Sequence, residues 1–114
     1  MSDAELGPED LKIITLARST RARVASAEGA AVRDETGRTY AAAAVALPSL
    51  QLSALRLAVA MASSSGASAL EAAALVTAAD QPDPGDLAAV RDLGPDALVF
   101  LARPDGTVRD TLKL

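Results

Sequence analysis

Apolar positions recur at helical spacing early in the chain. Leu11, Ile14 and Ala17, with Ile13 and Leu16 beside them, form a stripe that predicts a helix over residues 8–24. Pro8 suits a first helical turn, and Glu9 and Asp10 suit the positive end of its dipole. The lower half of this helix is polar and basic. The period then changes. Two short apolar runs, residues 29–32 and 39–47, flank the sequence Arg33-Asp-Glu-Thr-Gly-Arg38. That sequence reads as a turn between two strands, with Gly37 free to take a positive φ. The helix propensity of alanine disputes the second strand, but the turn before it and Pro48 after it favour extended chain.

Residues 50–65 read as a second helix. Leu50, Leu57 and Met61 fall near one face and Leu52, Leu55 and Val59 on the adjacent one, so most of its circumference is apolar and must lie against a sheet or a partner. Gly66 supplies a C-terminal cap. Residues 70–78 read as a third strand, 81–85 as a loop, and 86–93 as a short helix stopped by Gly94-Pro95. The apolar run 97–102 has strand length. Arg103-Pro-Asp-Gly106 signals a turn, and 107–114 forms a last strand. The predicted order is α-β-β-α-β-α-β-β. It gives one α/β domain over residues 1–114, three-layered, with a mixed sheet and helices on its faces.

Composition sharpens this picture. Alanine fills 27 positions, and the aromatic residues are Tyr40 and Phe100 alone. The core must be built from Leu, Val, Ile and small side chains, with elements packed closely and no aromatic platform on which to stack a base. The net charge of −4 argues against a nucleic-acid partner, because such binders neutralise phosphates with a basic face. The cluster Arg18, Arg21 and Arg23 reads as a solvated helix face.

The chain contains no cysteine and no histidine. Disulfides are excluded, and the two best zinc ligands are missing. So is the usual general base near neutral pH. Carboxylates alone would suit magnesium or calcium, but Asp34-Glu35 and the acidic stretch 80–86 do not follow a calcium-loop spacing. They read as solvated turn carboxylates. No cofactor is expected. No stretch approaches 18 apolar residues and the start of the chain is acidic, so neither a membrane span nor a secretory leader is expected, and the expected location is cytoplasmic.

Two blocks carry a resemblance to a known family. Glu28-Gly-Ala-Ala-Val-Arg-Asp-Glu-Thr-Gly-Arg-Thr-Tyr40 and Ser53-Ala-Leu-Arg-Leu-Ala-Val-Ala-Met-Ala-Ser-Ser-Ser-Gly66 resemble the first hairpin and the Cys-Ala-Glu-Arg helix of the cytidine deaminase family, over roughly residues 10–105. The resemblance implies a zinc ion that makes hydroxide from water, with a nearby Glu that moves protons without ligating the metal. It places Ser53 at the first ligand position and Leu55 at that of the proton-moving Glu. The second pair of ligands, on a Pro-Cys-x-x-Cys turn, falls within residues 83–88. The nucleoside-holding Asn-x-Glu falls at Ala44 and Ala46, and a wall phenylalanine at Ser26. Each of these positions is chemically neutral in this chain.

The resemblance therefore implies a non-catalytic protein of this fold, a structural or protein-binding module that assembles with itself or with another protein. One alternative is a sensor that keeps the cleft and binds a nucleoside ligand. More remote is a working cytidine deaminase. An enzyme of another class would have to use Ser, Asp or Lys, yet Ser63-Ser-Ser65 sits at a helix end, Lys12 and Lys113 lie near opposite ends of the chain, and no phosphate-cradling glycine loop is present. With the polar site replaced by Ala, Ser and Leu, the former cleft is either filled or left as an apolar patch of the kind that marks a protein interface.

Overall fold

The computed structural model describes residues 6–114, and the start of the chain with Asp3 and Glu5 lies outside the described residues. Helix α1 (Pro8–Arg23) is followed by strands β1 (Glu28–Asp34) and β2 (Thr39–Ala43). A small hairpin of β3 (Val45–Leu47) and β4 (Leu50–Leu52) leads into α2 (Ala54–Ser64). Then come β5 (Leu70–Thr77), α3 (Pro84–Leu93), β6 (Leu98–Ala102) and β7 (Val108–Lys113). Five strands form one mixed sheet in the order β2-β1-β5-β6-β7. The β5–β6 pair is parallel and its neighbours are antiparallel.

The period-two alternation of strands divides the core in two. Ala31 of β1, Ala72, Ala74 and Val76 of β5, and Phe100 of β6 share one cluster with Ile13, Ile14 and Ala17 of α1. Ala30 and Val32, Ala73 and Leu75, and Val99 and Leu101 point the other way and cluster with α2 and with Val90 of α3. The result is the expected three-layer α/β architecture. The sheet face under α1 is mostly alanine, so the helix comes very close. A Cβ built on Gly29 would strike the Ala17 carbonyl oxygen and stand 2.8 Å from the Arg21 Cβ.

Two expected boundaries are corrected. Residues 39–47 are not one strand and 50–65 are not all helix. The chain breaks at Ala44, and β3 pairs with β4 in the register Val45↔Leu52 and Leu47↔Leu50 around Pro48-Ser49. Backbone pairing thus claims Leu50–Leu52, and the helix begins only where the Ser53 side chain accepts a hydrogen bond from the Arg56 amide. The element order is α-β-β-β-β-α-β-α-β-β. The predicted α1 stripe is also rotated: Leu11 is 44% exposed, whereas Thr20 is buried with Ile13, Ile14 and Ala17. No helix among the described residues is long and apolar enough to cross a membrane.

Asp34 is not the solvated turn carboxylate that its sequence context suggested, being only 2% exposed. One carboxylate oxygen accepts from the Thr36 amide, the Thr36 hydroxyl and the Arg38 amide, and the other from the Tyr40 hydroxyl. It organises the turn in which Gly37 takes φ +87°. Burial acts to raise its pKa, but these hydrogen bonds outweigh burial and hold the carboxyl below its ordinary value. Ionised Asp34 therefore stabilises the fold at pH values above the usual carboxylate range, and that contribution fades as pH falls through it. We expect acid unfolding of the Asp34→Asn variant, followed by circular dichroism, to depend less steeply on pH below about 4. An unchanged acid limb would refute this role.

Candidate functional site

The positions singled out in the sequence fall into separate groups. Ser26 lies in the α1–β1 connection. Its hydroxyl oxygen accepts from the Glu28 amide and from the Ala44 amide, both at 3.3 Å. It thus ties the start of β1 to the end of β2. Ala44 is exposed between β2 and β3, and Ala46 is exposed in β3 opposite Gln51. Neither side chain can hold a hydroxyl. Leu55 is fully buried in the core cluster that contains Ala30, Val32, Leu75 and Val99.

Ser53 is different. It caps α2, and its hydroxyl donates to Asp86 Oδ1 at 2.8 Å. Arg56 Nε donates to the same oxygen at 3.1 Å. Asp86 lies in the first turn of α3 and is 3% exposed. Beside it, Asp83 caps α3 by accepting from the Gly85 amide at 2.7 Å. The starts of α2 and α3 therefore meet at a Ser53–Asp86–Arg56 cluster.

This grouping was missed by reading the acidic stretch as solvated loop. Asp83 is exposed, and Asp80 is exposed and paired with Arg109 at 2.7 Å, but Asp86 is buried and carries two partners. A signal for it existed. Pro82-Asp83-Pro-Gly-Asp86 has the spacing of a Pro-Cys-x-x-Cys turn with aspartate at both cysteine positions.

Three further cavities border the sheet. One of about 470 Å³ is lined by Glu9, Lys12, Arg33, Glu35 and Glu71 among others. Much of its charge is internally satisfied, since Arg33 bonds Asp10 at 3.0 Å and Glu71 at 2.9 Å, and Glu35 accepts from the amide and hydroxyl of Ser68. A second, of about 400 Å³, lies over the outer side of α2 between Tyr40, Leu57, Ala60 and Met61. The third, of about 330 Å³, lies between α3 and β7.

The profile of the cytidine deaminase-like family matches residues 6–106. The chain belongs to the cytidine deaminase-like family. Its fold is shared with the cytidine deaminase of Burkholderia pseudomallei, at TM-score 0.78 and 22% identity over 99% of this chain and 93% of that one. The Mycobacterium leprae cytidine deaminase matches at TM-score 0.67 and 20% identity, over 88% of this chain and 90% of that one. A mutant cytidine deaminase from Mycobacterium tuberculosis matches at TM-score 0.59 and 21% identity, over 75% and 82%. No curated relative matches the chain.

Within the cytidine deaminase-like family, the residues that the sequence resemblance sets at the zinc positions do not fit zinc. The donors are a serine hydroxyl that donates a hydrogen bond to Asp86, a capping carboxylate at Asp83, and the Asp86 carboxylate already paired with Arg56. None is a thiolate or an imidazole, the ligands that zinc prefers in such sites. Leu55, which the sequence resemblance sets at the position of the proton-moving Glu, is a core side chain.

Proposed function

We propose that this chain is a non-catalytic cytidine deaminase-like protein that works as a structural or protein-binding module. The observation that carries the reading is the fully buried side chain of Leu55, the residue that the sequence resemblance sets at the position of the proton-moving Glu. No proton can be passed from such a position. The donor set at Ser53, Asp83 and Asp86 supports the same reading, because it offers zinc no soft ligand.

The partner is a second copy of the chain or another protein, and the exposed apolar positions favour this over a nucleoside. Leu47 and Leu50 are 54% and 48% exposed at the tip of the β3–β4 hairpin, and the groove over α2 is apolar, with Leu57, Ala60 and Met61 in its lining. Ala44 and Ala46 offer no group to hold a ribose hydroxyl.

The test is cytidine turnover by the purified protein supplied with zinc. The expected rate is indistinguishable from the buffer blank. Turnover that disappears on chelation would overturn the reading. The same samples, heated with and without cytidine, should melt together. A ligand at about a hundred times its dissociation constant would add roughly 2.7 kcal/mol, so a clear upward shift would replace the module with a nucleoside sensor.

A further inference from the structure

We propose that Ser53, Arg56 and Asp86 supply, without a metal, the tie between α2 and α3 that a bound zinc ion makes elsewhere in this family. The inference shares one observation with the proposed function, the unsuitable donor set. Its test reads stability, so the two can fail separately.

The argument begins with Arg56. A cation in the first turn of a helix sits at the wrong end of the dipole. Helix α2 has no acidic residue in its own first turn, so nothing on its own start offsets that charge. The compensation comes from α3. Asp86 reaches across with Oδ1 3.1 Å from Arg56 Nε and accepts the Ser53 hydroxyl at 2.8 Å. One carboxylate oxygen thus serves the cap of α2, the cation of α2, and the dipole of its own helix. Asp86 is almost fully buried, so leaving its carboxylate without these partners would be costly. In the stretch Ser53-Ala-Leu-Arg56, set against the family's Cys-Ala-Glu-Arg, alanine and arginine are retained while the ligand and the proton-moving residue are replaced. Arginine is the retained residue able to offset the Asp86 charge.

Gly85 gives independent support. The Arg56 guanidinium lies directly over it: a Cβ built there would collide with Arg56 Nη2 and stand 3.2 Å from Asp83 Oδ1. Gly85 is the second residue of α3, a place where alanine is ordinarily the better helix former. Its lack of a side chain leaves room for the guanidinium in the position from which Nε meets Asp86.

This gives a test in which a substitution changes sign. Gly85→Ala should lower the melting temperature of the otherwise unaltered chain by about 5 °C or more, because it pushes the guanidinium off Asp86. In an Arg56→Ala background, already destabilised, the same change should leave the melting temperature unaltered or raise it, since only the helix preference remains. If Arg56→Ala does not fold, Arg56→Gln takes its place in the cycle, removing the charge while keeping most of the stem. A chelator should leave the melting temperature of the unaltered chain unchanged. Equal effects of Gly85→Ala in both backgrounds would overturn the tie. A fall in melting temperature on chelation would overturn its independence from metal.

Discussion

Replacing Leu55 with glutamate, the residue that the sequence resemblance sets at this position, is expected to unfold the protein and not to restore an enzyme. Leu55 is fully buried, within a cluster that includes Ala30, Val32, Ala58, Leu75 and Val99. A glutamate there loses the packing of the leucine and gains a carboxylate among apolar side chains with nothing to pair it. Each loss is large in a core. Together they should cost about 4 kcal/mol or more, most of the stability of a typical small domain. The check is a urea titration of Leu55→Glu beside Leu55→Ala. Both should be destabilised, the glutamate variant further at pH 7 than at pH 4, where the side chain is partly protonated. Added zinc should rescue neither. A Leu55→Glu variant as stable as the parent would mean that water and ions reach this position, and the filled-cleft reading would fall with it.

The second large effect is expected on the opposite face of the sheet. Gly29→Ala should cost about 3 kcal/mol, although it adds a single methyl group. The contact it would make is with backbone: the Ala17 carbonyl oxygen, and the Arg21 amide nitrogen 2.9 Å away. A flexible side chain could swing aside, but a helical turn cannot. Helix α1 must lift from β1 or slide along it, and either movement opens the cluster of Ile13, Ile14, Ala17, Ala31 and Phe100. Hydrogen exchange should report where the loss falls. The α1 amides should lose protection first, while the β5–β6 pair keeps its own. Unchanged protection in α1 would show that the helix does not rest on Gly29.

These two positions illustrate what the sequence could and could not convey. The family assignment was legible because it rests on local spacing: a hairpin with Gly37 in its turn, then a helix of Ser-Ala-Leu-Arg type ending at glycine. The three-layer α/β architecture was legible because the hydrophobic period changes from helical to alternating at the right places. The lack of any cysteine or histidine was legible from composition alone, whatever the alignment. Gly29, by contrast, looked like an ordinary strand residue. Its role depends on how close α1 comes to the sheet.

The β3–β4 hairpin was missed for a related reason. Leu50-Gln-Leu52 continues a helical apolar pattern, and short apolar runs fit either period. Pairing with Val45–Leu47 across Pro48-Ser49 decided it. The acidic residues were misjudged in the same way. Asp34 and Asp86 are buried, while Asp80 and Asp83 remain exposed, yet all four sit in polar turn-like sequence. Burial of a carboxylate is set by what covers it and by the donors that meet it, and for Asp86 those donors lie about thirty residues earlier, at Ser53 and Arg56. The sequence by itself determined the family, the α/β class and the absence of cysteine and histidine, since all three follow from local period and residue type. Only the tertiary structure decided which carboxylates are buried, which glycine a helix rests on, and that an arginine at the start of one helix faces a buried aspartate at the start of another. Those depend on distances between segments remote in the chain, which no local pattern encodes.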